Sequence, residues 1–178
     1  CYSKDAPAMN VCEKIDAFER HVFDRQLNIA RILAEHFVAN REDDPLAESA
    51  FAIVTLTFSY FEMIEQFATG QPSDRNSAKF FERGFARVFP STVVNPADVS
   101  HIYRMLRNGM YHTAMPKDRC GLSRELKTAI ADENGVIVIN PALLIEQVVV
   151  HFREFCSDLR DGMHCELRNH FERMFDSL

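Results

Sequence analysis

Residues 46–69 read LAESAFAIVTLTFSYFEMIEQFAT. Phe51, Val54, Phe58, Phe61, Ile64 and Phe67 recur here at steps of three and four, the spacing of one face of an α-helix. No other stretch of the chain is as apolar, so the spacing predicts a helix at the centre of a hydrophobic core. Asp44-Pro45 just ahead supplies an N-cap and a proline for the first helical position. Gly70-Gln71-Pro72-Ser73 stops the helix.

Working outward, residues 10–41 form a helix with two apolar stripes. Val11, Ile15, Phe18, Val22, Ile29 and Leu33 make one, and Phe23, Leu27, Ala30 and Phe37 the other. A face that wide is expected to meet more than one neighbour. Downstream, a helix over about 74–89 leads to a loop between Pro90 and Pro96, and a fourth helix is expected from Ala97 to about His112. The helical period then fails. Residues 126–131 and 136–139 flank Asp132-Glu133-Asn134-Gly135, and Asn-Gly between β-prone residues signals a hairpin. Asn140-Pro141 starts a helix to about Leu159, with Leu144, Val148, Phe152 and Phe155 on one side, and a last amphipathic helix covers 162–175. The expected architecture is all-α, about six helices with one small β-hairpin insertion at about 126–139. No repeat or linker divides the chain, so residues 1–178 read as a single helical domain.

Composition sets the outer limits. With 178 residues, 47% hydrophobic and 26% charged, and only 6 Gly and 7 Pro, the chain is not a disordered or low-complexity polymer. No run approaches the ~18 apolar residues of a membrane span, so no membrane partner is expected. The net charge of −6 argues against indiscriminate nucleic-acid binding. Five widely spaced cysteines (1, 12, 120, 156 and 165) suit neither a disulfide framework nor a zinc cluster, and fit reduced thiols in a cytoplasm. The first ten residues are polar and lack the apolar core of a signal peptide, and a chain that begins at Cys1 instead of Met reads as trimmed.

Familiar catalytic signatures are missing: no P-loop, dinucleotide fingerprint, nucleophile elbow or H-E-x-x-H occurs. Asp98-x-x-His101 and Asp161-x-x-His164 stand beside helix starts, where Asp usually caps, so neither metal nor cofactor is expected. His151, His164 and His170 fall on late amphipathic helices and read as surface or packing residues.

The informative segment is His101-Ile102-Tyr103-Arg104-Met105-Leu106-Arg107-Asn108-Gly109-Met110-Tyr111-His112. Wound at about 100° per residue, it gathers Val99, Ile102, Leu106, Gly109 and Met110 on a core side. His101, Arg104, Asn108 and His112 line the opposite side, flanked by Arg107, with no acid among them. Between His101 and Lys127, six Lys or Arg (104, 107, 117, 119, 124, 127) face only Asp118 and Glu125, a local basic surplus in an acidic chain. Tyr103 and Tyr111 could stack a base, or sit at the core edge as amphipathic tyrosines do.

Arg107-Asn108-Gly109-Met110-Tyr111-His112 resembles the R-[polar]-x-x-x-H motif of the HEPN superfamily, helical bundles that are often RNases. Residues 60–65, Tyr-Phe-Glu-Met-Ile-Glu, look like that family's core helix, and the order of elements over about 10–160 is similar. The resemblance implies a metal-independent endoribonuclease, possible as a toxin or defence protein, with Arg107, His112 and Asn108 catalytic. Arg104, His101, Lys117, Arg119 and Tyr111 would bind RNA phosphate or base. It also implies RNA or a nucleotide as ligand, a homodimer, and a nucleotidyltransferase-like antitoxin as protein partner. Two other readings stay open. Gly109 could be a left-handed helix cap that leaves His112 in a loop, and many HEPN-like domains are non-catalytic modules that bind a nucleotide, RNA or a partner protein. Arg31 and His36 share the Arg-His spacing but lie in a helix striped with core residues, and read as structural. Residues five apart on a straight helix point about 140° from each other, so Arg107 and His112 converge only if the helix loosens at Gly109 or two chains share the site.

Overall fold

The computed structural model describes residues 9–89, 96–105 and 120–178. A first rod keeps helical dihedrals at both internal junctions from Val11 to Ala39, as α1 (Val11–Glu19), a π-helical stretch (Arg20–Leu27) and α2 (Asn28–Ala39). Asn10 opens it with a capping box: its side chain accepts from the Glu13 amide, and the Glu13 carboxylate accepts from the Asn10 amide. Within the π stretch the Asn28 amide donates to the Phe23 carbonyl, five residues back instead of four. The buried side chains explain why. Ile15, Phe18 and Val22 keep the helical step, then Leu27, Ala30, Ala34 and Phe37 resume it after a step of five. A wide turn absorbs the extra residue and keeps both sets on one face. The two expected stripes are therefore one stripe that slips: Ile29 is exposed, and Phe23 and Leu33 are half-buried at its edges.

A single 3-10 turn (Pro45–Glu48), capped by the Asp44 carboxylate on the Leu46 amide at 2.9 Å, precedes α3 (Ala50–Thr69). The central helix thus begins four residues later than expected, and Phe51 in its first turn is 39% exposed instead of in the core. From Ile53 onward the expected face is buried, and Ile53, Thr57, Tyr60, Glu65 and Ala68 are buried with it, so α3 is surrounded on most sides. Gly70 ends α3 at φ +65°, where a Cβ would also meet the His170 backbone at 2.9 Å.

α4 (Ser77–Val88) lies against α3 so tightly that a Cβ on Gly84 would stand 1.8 Å from the Phe61 carbonyl oxygen. Around this approach the Phe61 ring has Phe58, Phe81 and Phe85 at centroid distances of 5.5, 5.4 and 5.1 Å. α5 (Pro96–Met105) packs on α4, burying Val99 and Ile102, with Tyr103 tilted against Phe81 at 5.1 Å.

The hairpin is present: β2 (Ile130–Glu133) and β3 (Val136–Ile139) pair antiparallel. Its turn places Asn134 and Gly135 at φ 57° and 80°. Its first strand starts at Ile130, not at residue 126. A strand the sequence reading did not anticipate, β1 (Cys120–Leu122), runs parallel to β3 and completes a three-stranded sheet of order β1-β3-β2. Three residues are too few for alternation to register.

Asn140 then joins sheet to helix. It is buried, accepts from the Ala142 and Leu143 amides at 3.0 and 3.3 Å, and donates to the Leu126 and Arg124 carbonyls at 2.8 and 3.3 Å. α6 (Pro141–Arg160) and α7 (Cys165–Asp176) complete the bundle. Phe18 links α1 to Phe67 of α3, Phe152 of α6 and Phe171 of α7 at 4.4, 5.6 and 5.3 Å. Among the described residues no helix is long and apolar enough to cross a membrane.

Two substitutions test this packing by urea unfolding. Gly84→Ala should lower stability by about 3 kcal/mol, because the added methyl forces α3 and α4 apart; an unchanged midpoint would refute the close approach. Asn140→Ala should lose about 2 kcal/mol, combining a lost cap with two orphaned carbonyls. A change below about 0.5 kcal/mol would deny it the joining role.

Candidate functional site

The basic segment opens on α5, whose described part matches the expected division of faces. Val99 and Ile102 are buried, His101 is half-buried and Arg104 is exposed, its Nε donating to the Ser100 carbonyl at 3.4 Å. Arg107, Asn108, Tyr111, His112, Lys117 and Arg119 lie outside the described residues. His101 and Arg104, three residues apart, are thus the expected site residues that the described structure holds together. Tyr103, tilted on Phe81, takes the core-edge role.

Two basic residues near the segment have other employment. Arg124 lays its guanidinium over the Phe37 ring at 4.5 Å and donates to the Ala47 carbonyl at 3.1 Å, with Glu48 at 3.7 Å. That pins the chain before β2 onto α2 and the 3-10 turn, and withdraws one cation from the patch. Lys127 borders a shallow concavity of about 450 Å³ together with Glu125 and Glu133, so its surroundings are mixed in charge. The second Arg-His spacing is structural, as expected. Arg31 pairs with Glu35 at 2.7 Å, while His36 Nδ1 meets Asp44 at 2.6 Å, a contact that lowers the Asp44 carboxyl pKa.

Sequence reading missed a pair of anchored side chains where α4 and α6 meet α3. Tyr60, almost fully buried, contacts His151 Nδ1 through its hydroxyl at 2.7 Å. Burial pushes the phenol pKa well above its ordinary value, so it stays protonated. A buried phenol must place its proton on an acceptor, and Nδ1 is its partner; Tyr60 therefore donates, which puts the His151 proton on Nε2. Five residues along α3, Glu65 is equally buried and accepts from Arg87 Nε at 2.5 Å. The His151 pKa is lowered first by burial and next by the Arg87 charge, with Asp158 partly opposing them. His151 is thus neither simple surface nor packing. Tyr60 and Glu65 sit on the apolar face of α3, and a carboxylate on such a face demands a partner; nothing in one sequence says that Arg87 supplies it.

The described cysteines are thiols. Cys12, Cys120, Cys156 and Cys165 are unpaired among the described residues, and burial pushes Cys120 up to about 11 and Cys156 up to about 12. Neither is a thiolate nucleophile near neutral pH. Among the described residues no three His, Cys, Asp or Glu side chains cluster as metal ligands do. Comparison of the chain with family models, with curated proteins and with solved structures finds no match.

His151 gives a pH test with a definite sign. An imidazole held below its unfolded pKa binds fewer protons folded than unfolded, so its contribution to stability shrinks as pH falls through about 6.5. Tyr60→Phe removes a hydrogen bond to the neutral ring and should move the His151 titration upward, as read by imidazole NMR. A titration that stays put or moves down would contradict the assigned direction of donation.

Proposed function

We propose that this chain is a metal-independent endoribonuclease of the HEPN type, acting as a homodimer in the cytoplasm, with Arg107 and His112 as the catalytic pair. The observation that carries the reading is the division of faces on α5. Its apolar side, Val99 and Ile102, is committed to the core, while Arg104 is exposed on the helix that leads directly toward the Arg107–His112 motif. Arg104, Asn108 and His112 follow one another at steps of four, so a continued helix would carry them along the same outer edge.

The chemistry suits these residues. His112 takes the proton of a ribose 2′-hydroxyl, the 2′-oxygen attacks phosphorus, and the 5′-oxygen departs with a proton. The products are a 2′,3′-cyclic phosphate and a 5′-hydroxyl end. Arg107 binds the phosphate oxygens with its planar fork and stabilises the charge that develops there, and Asn108 and Arg104 support them. A two-fold axis brings Arg107 of one protomer to His112 of its partner, which removes the 140° divergence within one helix. His101, Lys117, Arg119 and Tyr111 extend the RNA-binding surface. A role as toxin or defence protein, held by a nucleotidyltransferase-like antitoxin, goes with this reading.

A second reading is a non-catalytic module that uses the same face to bind a nucleotide, RNA or a partner protein, and the net charge of −6 suits the last of these. Salt separates phosphate binding from apolar docking, because only the former weakens steeply as ionic strength rises.

The test is cleavage of labelled RNA by purified protein in EDTA. We expect 2′,3′-cyclic phosphate ends, and a loss of at least about 100-fold in rate for His112→Ala. Cleavage that survives the substitution, or no cleavage of any RNA offered, would end the nuclease proposal.

A further inference from the structure

We infer that the solvent face of α4, with Arg104 of α5 beside it, is a track for the phosphate backbone of an RNA strand. Lys79, Arg83 and Arg87 follow one another at steps of four, and all three are exposed. Each such step turns the helix by about 40° and rises about 6 Å, so the cations form one ridge and do not diverge. Ala86, seven residues after Lys79, faces the same way, and its short side chain leaves the ridge open to close approach. The opposite face of α4 is buried through Phe80, Phe81, Gly84 and Phe85. Glu82 is the one acid on α4, and it turns toward α5, where it accepts from the Ser100 hydroxyl. The Arg104 Nε donates to the Ser100 carbonyl at 3.4 Å, which sets its guanidinium over the same seam between the two helices. Glu65 holds Arg87 from the buried side, and the Arg87 side chain stays 42% exposed. Among the described residues Lys79 and Arg83 join no ion pair.

The spacing selects the ligand. Cations about 6 Å apart along a helix do not converge on one small anion. They suit a ligand whose own charges are strung out, and a nucleic-acid strand repeats a phosphate at every nucleotide. Three of the four cations are arginines, whose planar forks take phosphate oxygens in pairs. In a chain of net charge −6, such a ridge confines a polyanion to one place on the surface. α5 leads from this seam toward Arg107 and His112, so the inference rests on the nuclease reading for its choice of RNA and gives that site a path for its substrate.

The test is fluorescence anisotropy of a labelled, single-stranded 2′-O-methyl oligoribonucleotide, which the full chain can bind but cannot cleave, because its 2′-oxygens carry no proton. Affinity is followed from about 50 to 200 mM salt. Four phosphate contacts predict a wild-type log–log salt slope of about −2.8 or steeper, at about 0.7 for each contact. Lys79→Gln with Arg83→Gln should weaken binding about tenfold at the lowest salt and flatten the slope by about 1.4. Arg25→Gln with Arg173→Gln takes the same charge from exposed positions on the first rod and α7, and should leave the slope as it was. An unchanged urea midpoint verifies that each pair folds; should the ridge pair not fold, the wild-type slope decides. A wild-type slope shallower than about −1.5, or no binding at all, would overturn the track. So would equal losses in the two pairs, which would make net charge the cause, or displacement of the oligonucleotide by polyglutamate at matched charge, which would mark a face for acidic protein. The nuclease reading fails separately: cleavage of unmodified RNA with the salt slope unmoved by the ridge pair removes the track alone, and ridge-dependent binding without cleavage removes the nuclease alone.

Discussion

The Gly84 backbone rests against the Phe61 carbonyl, and this approach of two helices governs the rest of the bundle. With no side chain between them, α3 and α4 share one aromatic layer, and α3 sinks far enough to be covered on its other sides too. The first rod, α6 and α7 then close around its remaining surface through Phe18, Phe67, Phe152 and Phe171. A layer of rings buried this fully adds substantially to the drive for folding, since each removes a large apolar area from water. Burial on most sides also explains why α3 carries Tyr60 and Glu65 inward, since a helix with little solvent face has few other places for them.

Much of this was legible in the sequence. Three-and-four spacing from Val54 to Phe67 located the central helix, Gly70 its end, and Asn134-Gly135 the hairpin turn. The failures have physical causes. Phe51 continues the apolar spacing, but the Asp44 cap and Pro45 form a 3-10 turn first, and the residue falls at the helix's exposed entrance. The first rod read as two stripes because a straight-helix template cannot represent the five-residue step between Val22 and Leu27. β1 escaped because a three-residue strand pairs through its backbone, which composition does not encode.

Of the candidate site, the described residues include only His101 and Arg104, at its start on α5. The faces of α5 came out as the spacing implied, with Val99 and Ile102 inside and Arg104 outside. Charge counting was less discriminating, because it treats every cation alike. Arg124 is tied to Phe37 and the Ala47 carbonyl, and Arg160 to Asp16 and Glu19 at 2.8 and 2.5 Å. Arg104 joins no ion pair among the described residues. The Tyr60–His151 and Glu65–Arg87 pairs were invisible because each joins residues far apart in sequence, and only the assembled helices bring them together.

The proposed nuclease site has one requirement that can be isolated: guanidinium and imidazole must come from different protomers. Arg107→Ala and His112→Ala proteins, each inactive alone, can be mixed under conditions that exchange subunits and assayed on RNA. A site shared across a two-fold axis leaves one intact Arg-His combination in every mixed dimer, so activity should return to about a quarter of the wild-type level. If mixed dimers form and activity stays at that of the separate variants, while the wild type cleaves, the shared site is wrong.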